Sequence, residues 1–319
     1  MNNARRWLRQ APPTHFKPTQ KSPAFLALGA GFDTNPSATP RDNVLTLRSG
    51  DPGLIEEIAL GFTREESPLA FVQAGVRVAA PLDGRTTAVF DFSGYAAHFF
   101  DDNDQDDAII ALRMGPEIVY AKGVFRPFLD LGYRHFGGDP YAVAAALGVE
   151  ASVDFGPGVL TMELSGGYRD FIPTRDTPGR ENLDGTEAQV ALSYGVPRSQ
   201  ALQLDVSARV AAVNADKDFE DYFAFGADAA LSATFDAFGR PLVATLGGGV
   251  VTSRYETADF QLLDIKRRDT SVAAYFGPAT DLDEVTSIDG AVTYRRRFSN
   301  YDISNNKGVR FTIRLARRL

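Results

Sequence analysis

The chain has no cysteine, a single tryptophan and only three histidines in 319 residues. Without cysteine there is neither a disulfide frame nor a thiolate metal site. His15, His98 and His135 are scattered and lack metal-ligand spacing. No apolar run is long enough for a transmembrane helix, which needs roughly 18 residues or more. A net charge of −8 argues against nucleic acid, whose readers carry a basic patch. No nucleophile elbow is present, and Ser165, Ser193 and Ser207 read as ordinary serines on a polar strand face. Gly29-Ala30-Gly31 looks like the start of a phosphate loop, but no helical pattern follows it. The expectation is therefore a protein that is not an enzyme and needs no cofactor or metal.

What the chain does have is alternation. Val309, Phe311, Ile313 and Leu315 interleave with Arg310, Thr312 and Arg314, and the same rhythm recurs back to Phe25. Leu202 to Val210 is the cleanest run, its apolar positions opposed by Gln203, Asp205, Ser207 and Arg209. Period-2 patterning means strands with one apolar and one polar face. Short turns are marked by Asp83-Gly84, Lys122-Gly123, Gly156-Pro157-Gly158, Pro197-Arg198-Ser199 and Gly239-Arg240. They alternate with mostly longer polar loops, including residues 34–66, 101–107, 172–184 and the stretch holding Lys266, Arg267 and Arg268.

Many such strands with no helix to cover their apolar faces point to an all-β fold. The expected architecture is a transmembrane, antiparallel, up-and-down β-barrel of about fourteen strands over residues 23–319. A further hairpin, from Val44 to Leu47 and Leu54 to Phe62, would raise the count to sixteen. A soluble sandwich or propeller fits less well, because charges fill the faces opposite the apolar ones. Residues 1–22, with Arg5, Arg6 and Arg9, read as a linker or the remnant of a helical domain, without an apolar signal core. An even strand count puts both termini on the periplasmic side of a bacterial outer membrane. Pro116, Pro127 and Pro278 resist the scheme, since proline cannot donate to a ladder; Pro116 predicts a bulge or a local break.

The polar faces carry the candidate functional residues. Arg77, Asp91, Arg113, Glu117, Asp130, Arg134, Glu163, Arg169, Asp205, Arg209, Asp228, Arg295, Arg310 and Arg314 would all point inward. A barrel wider than eight strands is not filled by side chains. Such charges either line a wet passage or pair across strands and brace the wall; for any one residue, bracing is the simpler reading. The acidic run Asp101–Asp107 lacks the glycine and distal glutamate of a calcium loop. It reads as a solvated external loop, with divalent ions bridging it to lipopolysaccharide.

Three short segments resemble the surface lipoprotein assembly modifier family. Gly31-Phe32-Asp33-Thr34-Asn35 looks like its Gly-aromatic-Asp-Ser/Thr-Asn signature. Ser67 to Phe71 is similar to its Ser-x-x-Ala-Phe region, and Asn306 to Phe311, with Gly308 and Arg310, to its closing Asn-x-Gly-x-Arg-Phe strand. The resemblance implies a fourteen-stranded outer-membrane barrel that moves lipoproteins or soluble cargo to the cell surface. It implies cargo proteins, the lipid bilayer, lipopolysaccharide and the barrel-assembly machinery as partners, and a monomeric barrel. The family's periplasmic tetratricopeptide helices have no counterpart in these residues. Gly29 and Gly31 mark the meeting of first and last strands as a weak seam. The rival expectation is a passive channel for small solutes.

Overall fold

The computed structural model describes residues 24–39, 44–48, 55–59, 65–174, 180–199, 201–237, 239–258 and 265–319. The expected linker at 1–22 and His15 lie outside them. Sixteen strands run in chain order: β1 (Ala24–Asp33), β2 (Val44–Arg48), β3 (Ile55–Ala59), β4 (Ser67–Pro81), β5 (Thr86–Phe99), β6 (Asp107–Tyr120), β7 (Gly123–Phe136) and β8 (Asp139–Phe155). They continue as β9 (Gly158–Phe171), β10 (Gly185–Ser199), β11 (Leu202–Ala215), β12 (Tyr222–Ala237), β13 (Arg240–Ala258), β14 (Lys266–Asp281), β15 (Thr286–Ser299) and β16 (Asn306–Arg318).

Fourteen of these strands close into one antiparallel barrel, each paired with its sequence neighbours and β1 joined to β16. Among the described residues, β2 and β3 pair only with each other. The hairpin expected between residues 44 and 62 therefore exists, but it does not enlarge the barrel to sixteen strands. Closure leaves the barrel sheet no free edge, which is what a strand-built structure in lipid requires.

The alternation sorts side chains by face. Leu28, Leu147, Leu246 and Ile313 are 54–68% exposed and lie on the outer surface with Val72, Phe90, Phe225 and Phe311. Leaving that many large apolar residues in contact with solvent is unfavourable in water, at about 25 cal/mol per Å² of apolar surface, and neutral in lipid. No helix among the described residues is long and apolar enough to cross a membrane; here the crossing elements are strands.

The two rims differ. Short turns at 82–85, 121–122, 156–157 and 282–285 share one rim with Ala24 and Leu319, whose amide donates to the Ala24 carbonyl at 3.0 Å. Two of these turns are built alike. The amides of Arg85 and Thr86 donate to Asp83, and those of Val285 and Thr286 donate to Asp283. These backbone donors hold both carboxyls below the usual carboxylate range.

The opposite rim carries the longer loops, apart from a two-residue turn at Gly137 (φ +62°) and Gly138 (φ +84°). Both central positions of that turn need positive φ, which glycine supplies without strain. Four of the longer loops share one device: a single 3-10 turn followed by an Asp or Asn that accepts the amide ending the preceding strand. The pairs are Phe99 to Asp106 (2.7 Å), Phe171 to Asp184 (2.6 Å), Ala215 to Asp221 (2.6 Å) and Ser299 to Asn305 (2.8 Å).

Prolines and strand ends supply the corrections. Pro116 makes no bulge: β6 runs unbroken and keeps its register on β5. The break falls on the other side, where pairing with β7 lapses between Met114 and Ile118 and then resumes in the same register. That register places Pro116 opposite Pro127, so neither has an amide to give the other. Pro197 lies within β10 opposite Gln203 rather than in a turn. Lys266, Arg267 and Arg268 open β14 rather than sit in a loop, and Asp107 opens β6.

Closure depends on close approach at the join. A Cβ added at Gly31 would collide with the Phe311 carbonyl oxygen. Gly31→Val is expected to cost at least about 1–3 kcal/mol through overpacking against backbone. The expected readout is loss of the fast-migrating folded band in unheated gel electrophoresis, while Gly84→Val, in open space on a turn, keeps it.

Candidate functional site

The end of β1 carries a dense cluster of bonds on the inner wall. Nine residue pairs join β1 to β16, from Phe25 opposite Arg318 to Asp33 opposite Arg310. Asp33 is completely buried. Arg310 Nε and Arg295 Nη2 each donate to Asp33 Oδ2 at 2.7 Å, and the Asn35 amide donates to Oδ1 at 3.0 Å. Asn35 Nδ2 donates to the Lys307 carbonyl at 2.9 Å, and Thr34 exchanges two hydrogen bonds with Val309. Ser67, also fully buried, sits opposite Asp33 from the β4 side and accepts the Asp101 amide at 3.0 Å.

All three segments singled out in the sequence thus meet at one place. Phe32 and Phe311 face each other across the join, and Gly308 packs beside Asn35. The glycines tighten this join rather than loosen it. Gly31 admits the Phe311 carbonyl, and the space above Gly29 is filled by the Phe71 ring directly opposite on β4. The same aromatic-over-glycine pairing recurs inside the barrel at Phe25 on Gly75, Phe128 on Gly148 and Tyr275 on Gly247.

The strand register places all fourteen predicted polar-face residues on the inner side, opposite the exposed apolar ones. Most are engaged with neighbours. On the wall from β4 to β9, Arg113 makes a two-pronged bond to Asp130 at 2.8 Å, with Glu163 at 3.1 Å and Glu150 at 3.6 Å. Its guanidinium lies 3.9 Å above the Phe128 ring. Arg77 bonds Glu117 at 2.7 Å and stands 3.7 Å from Asp91, which also holds Arg126 at 2.6 Å. Arg134 grips Asp107, and Arg169 approaches Glu187 at 3.4 Å.

The wall of β14, β15, β16 and β1 is built from the other sign. Arg295 and Arg310 hold Asp33, Arg267 and Arg297 hold Asp269, and Arg314 bridges Asp289 and Gln73 at 2.9 Å each. Among these named groups, five guanidiniums face three carboxylates here, whereas the Arg77, Arg113 and Arg126 clusters have three guanidiniums for five carboxylates. In a ring of fourteen, β7 lies six strands from β15, so the two walls are nearly opposite and set up a transverse field.

Asp205, Arg209 and Asp228 behave differently. Asp205 accepts from Gln203, and Asp228 accepts from Ser207. Among the described residues, Arg209 Nε is buried without a hydrogen-bond partner. Arg209 and Asp228 line a cavity of about 510 Å³ with Tyr275, Arg295, Arg310 and Arg314. The lumen is thus braced on the β4–β9 side and hollow against the arginine-rich side.

Several inward charges escaped the sequence reading. Arg126 and Asp289 share the parity of predicted residues on their own strands, and Glu150 falls on the face opposite Val143, Leu147 and Val149, so strict counting would have found them. Arg267, Asp269 and Asp107 lie where strands begin among polar residues, and nothing local separates strand from loop there. The acidic run is used structurally: Asp106 accepts from Phe99 and lies 2.7 Å from His98, while Asp107 binds Arg134. Among the described residues, no group of three or more His, Cys, Asp or Glu is placed to hold a metal ion. Asp102, beside Glu65, Asp104 and Asp106, has its carboxyl pushed up to about 6, by burial first and then by those neighbours.

No family model and no curated protein matches the sequence. Solved structures similar to this chain include a bacterial polysaccharide outer membrane secretin, with 9% identity and a TM-score of 0.46, covering 93% of this chain and 98% of that one. Another is the toluene transporter TodX of P. putida (10% identity, TM-score 0.45, 96% and 92% covered). A third is an anion-selective porin from Comamonas acidovorans (10% identity, TM-score 0.41, 92% and 99% covered). Likeness at this level is one of barrel architecture alone.

Two outcomes are expected. Asp33→Ala leaves two guanidiniums facing each other without their anion, and breaking a buried pair typically costs about 3–5 kcal/mol; the temperature at which the folded gel band disappears should fall, with less loss in Asp33→Glu. Asp102 has a raised folded-state pKa, so its neutral form favours the ordered loop in acid, and that stabilisation is lost as pH rises from about 4 through about 6. Limited proteolysis of the 100–106 loop should therefore be faster at pH 7 than at pH 5, and Asp102→Asn should remove the difference.

Proposed function

We propose that this chain is an outer-membrane translocon barrel that passes surface lipoproteins or secreted soluble cargo, as the surface lipoprotein assembly modifier family does. The observation that carries this reading is the convergence at one join of the three segments that resemble that family. Asp33 and Asn35, Ser67, and Arg310 come from three distant stretches of the chain yet meet where the first strand joins its neighbours: Arg310 bonds Asp33, Asn35 bonds the Lys307 carbonyl, and Ser67 lies opposite Asp33 in the ladder. A cluster of that kind gives the join a defined closed state, held by a few charged contacts above an ordinary ladder.

In this reading the short-turn rim, with Ala24 and Leu319, faces the periplasm, and the long-loop rim faces outward. Insertion relies on the barrel-assembly machinery, and the barrel works as a monomer. The chemistry is non-covalent throughout: charges on the lumen walls keep the passage wet, and cargo leaves through the lumen or sideways through the β1–β16 join.

A second reading, a passive channel for small solutes, is favoured by the cavity and its arginine lining. Ala27 and Ala316 are buried and directly opposed across the join, and the chain has no native cysteine. Directly opposed antiparallel residues have Cα atoms about 4.5–5.5 Å apart, within disulfide range. In cells carrying the double variant Ala27→Cys and Ala316→Cys, oxidation should abolish surface display of a co-expressed cargo lipoprotein, and a reductant should restore it. Display that survives oxidation would remove the lateral route. Steady conductance in planar bilayers, with cargo display unchanged when the gene is deleted, would favour the passive channel.

A further inference from the structure

On one face of the outer surface, cations gather beside the apolar band. On β13 to β16, toward the long-loop rim, the outward positions include Arg254, Lys266, Arg268, Arg296 and Lys307. Among the outward residues of these four strands, Glu256 is the one acid. The register pairs the cations with each other: Arg254 lies directly opposite Arg268, and Arg296 directly opposite Lys307. Like charges opposed on one face of a ladder destabilise it. Among the described residues, none of these five cations has a carboxylate partner, in contrast to the inward arginines of the same strands.

Their height on the barrel is also informative. Below them lie the apolar residues Val250, Phe276, Val292, Phe311 and Ile313, all exposed. Level with them are aromatic residues: Phe223 is opposite Arg254, and the Arg296 guanidinium lies 4.2 Å over the Phe298 ring. The Thr252 and Thr270 hydroxyls, 3.3 Å apart, sit one outward step beneath the Arg254 and Arg268 pair. Polar and aromatic side chains at the end of an apolar band mark the headgroup level, where lipid-facing cations cost little.

We infer that this face of β13–β16 is a binding site for a phosphorylated glycolipid of the outer leaflet. The inference rests on the reading that the barrel spans an outer membrane with its long loops outside. Each opposed cation pair presents two donors to one phosphate, which removes the repulsion that the bare protein carries. Arg268 and Val272, the residue opposite Arg296, are four positions apart on β14, and the two pairs are centred two strands apart; their backbones stand about 16 Å apart across the sheet, and their long side chains shorten the gap between the charges. Two phosphates on one disaccharide headgroup suit that spacing, and a single small anion does not bridge it. Aliphatic stems of the arginines and lysines lie along the apolar band while their heads meet the phosphates. The lipopolysaccharide-facing surface is then this basic face rather than the acidic loop at 101–107.

The test uses the full chain folded in detergent, with lipid A, dephosphorylated lipid A and inorganic phosphate as probes. Native mass spectrometry should retain lipid A on the wild type. The double variant Arg268→Gln and Lys307→Gln, which breaks both cation pairs, should bind it at least tenfold more weakly. Without lipid, that variant should be as heat-stable as the wild type or more so, because its like-charge pairs are gone; added lipid A should raise the melting temperature of the wild type only. Equal lipid A affinity in the variant, or equal stabilisation by inorganic phosphate, would overturn the site. Insertion into phosphatidylcholine vesicles, followed by heat-modifiable gel mobility, checks the membrane reading separately. A barrel that inserts but ignores lipid A refutes the site alone; one that fails to insert refutes the reading beneath it.

Discussion

Everything in this structure depends on the hydrogen-bonded ladder between β1 and β16. The two edge strands of an open sheet carry unpaired amides and carbonyls, and lipid offers them no partner. The join is made by residues far apart in the chain, from Ala27 opposite Ala316, 289 positions away, to Asp33 opposite Arg310, 277 positions away. Loop-closure entropy opposes such a contact, so it has to be over-determined. The chain does this with small residues that let the backbones approach, at Gly31 and Gly308, and with one buried carboxylate that ties three strands. Asp33 on β1 takes Arg310 from β16 and Arg295 from β15, so the last hairpin is fastened to the first strand by charge as well as by ladder.

The same alternation that makes the exterior apolar delivers every second side chain to the interior, and there the barrel divides its charges. One wall carries a surplus of carboxylates around Arg113; the opposite wall carries a surplus of guanidiniums around Asp33, Asp269 and Asp289. Toward the long-loop rim the inward arginines also lie on aromatic rings: Arg134 on Phe136 and Tyr141, Arg169 on Phe171, Arg267 on Tyr255 and Tyr301, Arg310 on Phe99. Cation–π contact and ion pairing together hold long side chains flat against the wall, which leaves the centre to the cavity beside Arg209 and Tyr275. Transport, in the proposed reading, uses what the walls leave free.

Much of this was legible from residue order. Period 2 with no covering helices led to a barrel of fourteen strands, and the inward parity of all fourteen candidate charges followed from it. The failures have local causes. Lys266, Arg267 and Arg268 look like a loop because a strand that emerges from the membrane becomes polar on both faces. Pro116 was expected to disturb its strand; the structure instead sets it against Pro127, so one lapse in the ladder accommodates two missing amides. Gly29 and Gly31 looked like weak points because a glycine by itself packs nothing, and the Phe71 ring that fills one of them belongs to another strand.

The sequence by itself determined which face of each strand is apolar and that about fourteen to sixteen strands follow one another; the closed ladder decided that fourteen of them make the barrel. Those properties depend on neighbours one or two residues away, where side-chain direction is set by the pleat. Only the tertiary structure decided the partners: that Asp33 binds Arg295 and Arg310, that Arg113 gathers three carboxylates, and that Arg254 meets Arg268 while Arg296 meets Lys307 on the outside. Partnership depends on register between strands, and register is a property of the closed ladder as a whole. A shift by one residue would preserve every local pattern except the face each residue occupies, and would dissolve the cluster at Asp33.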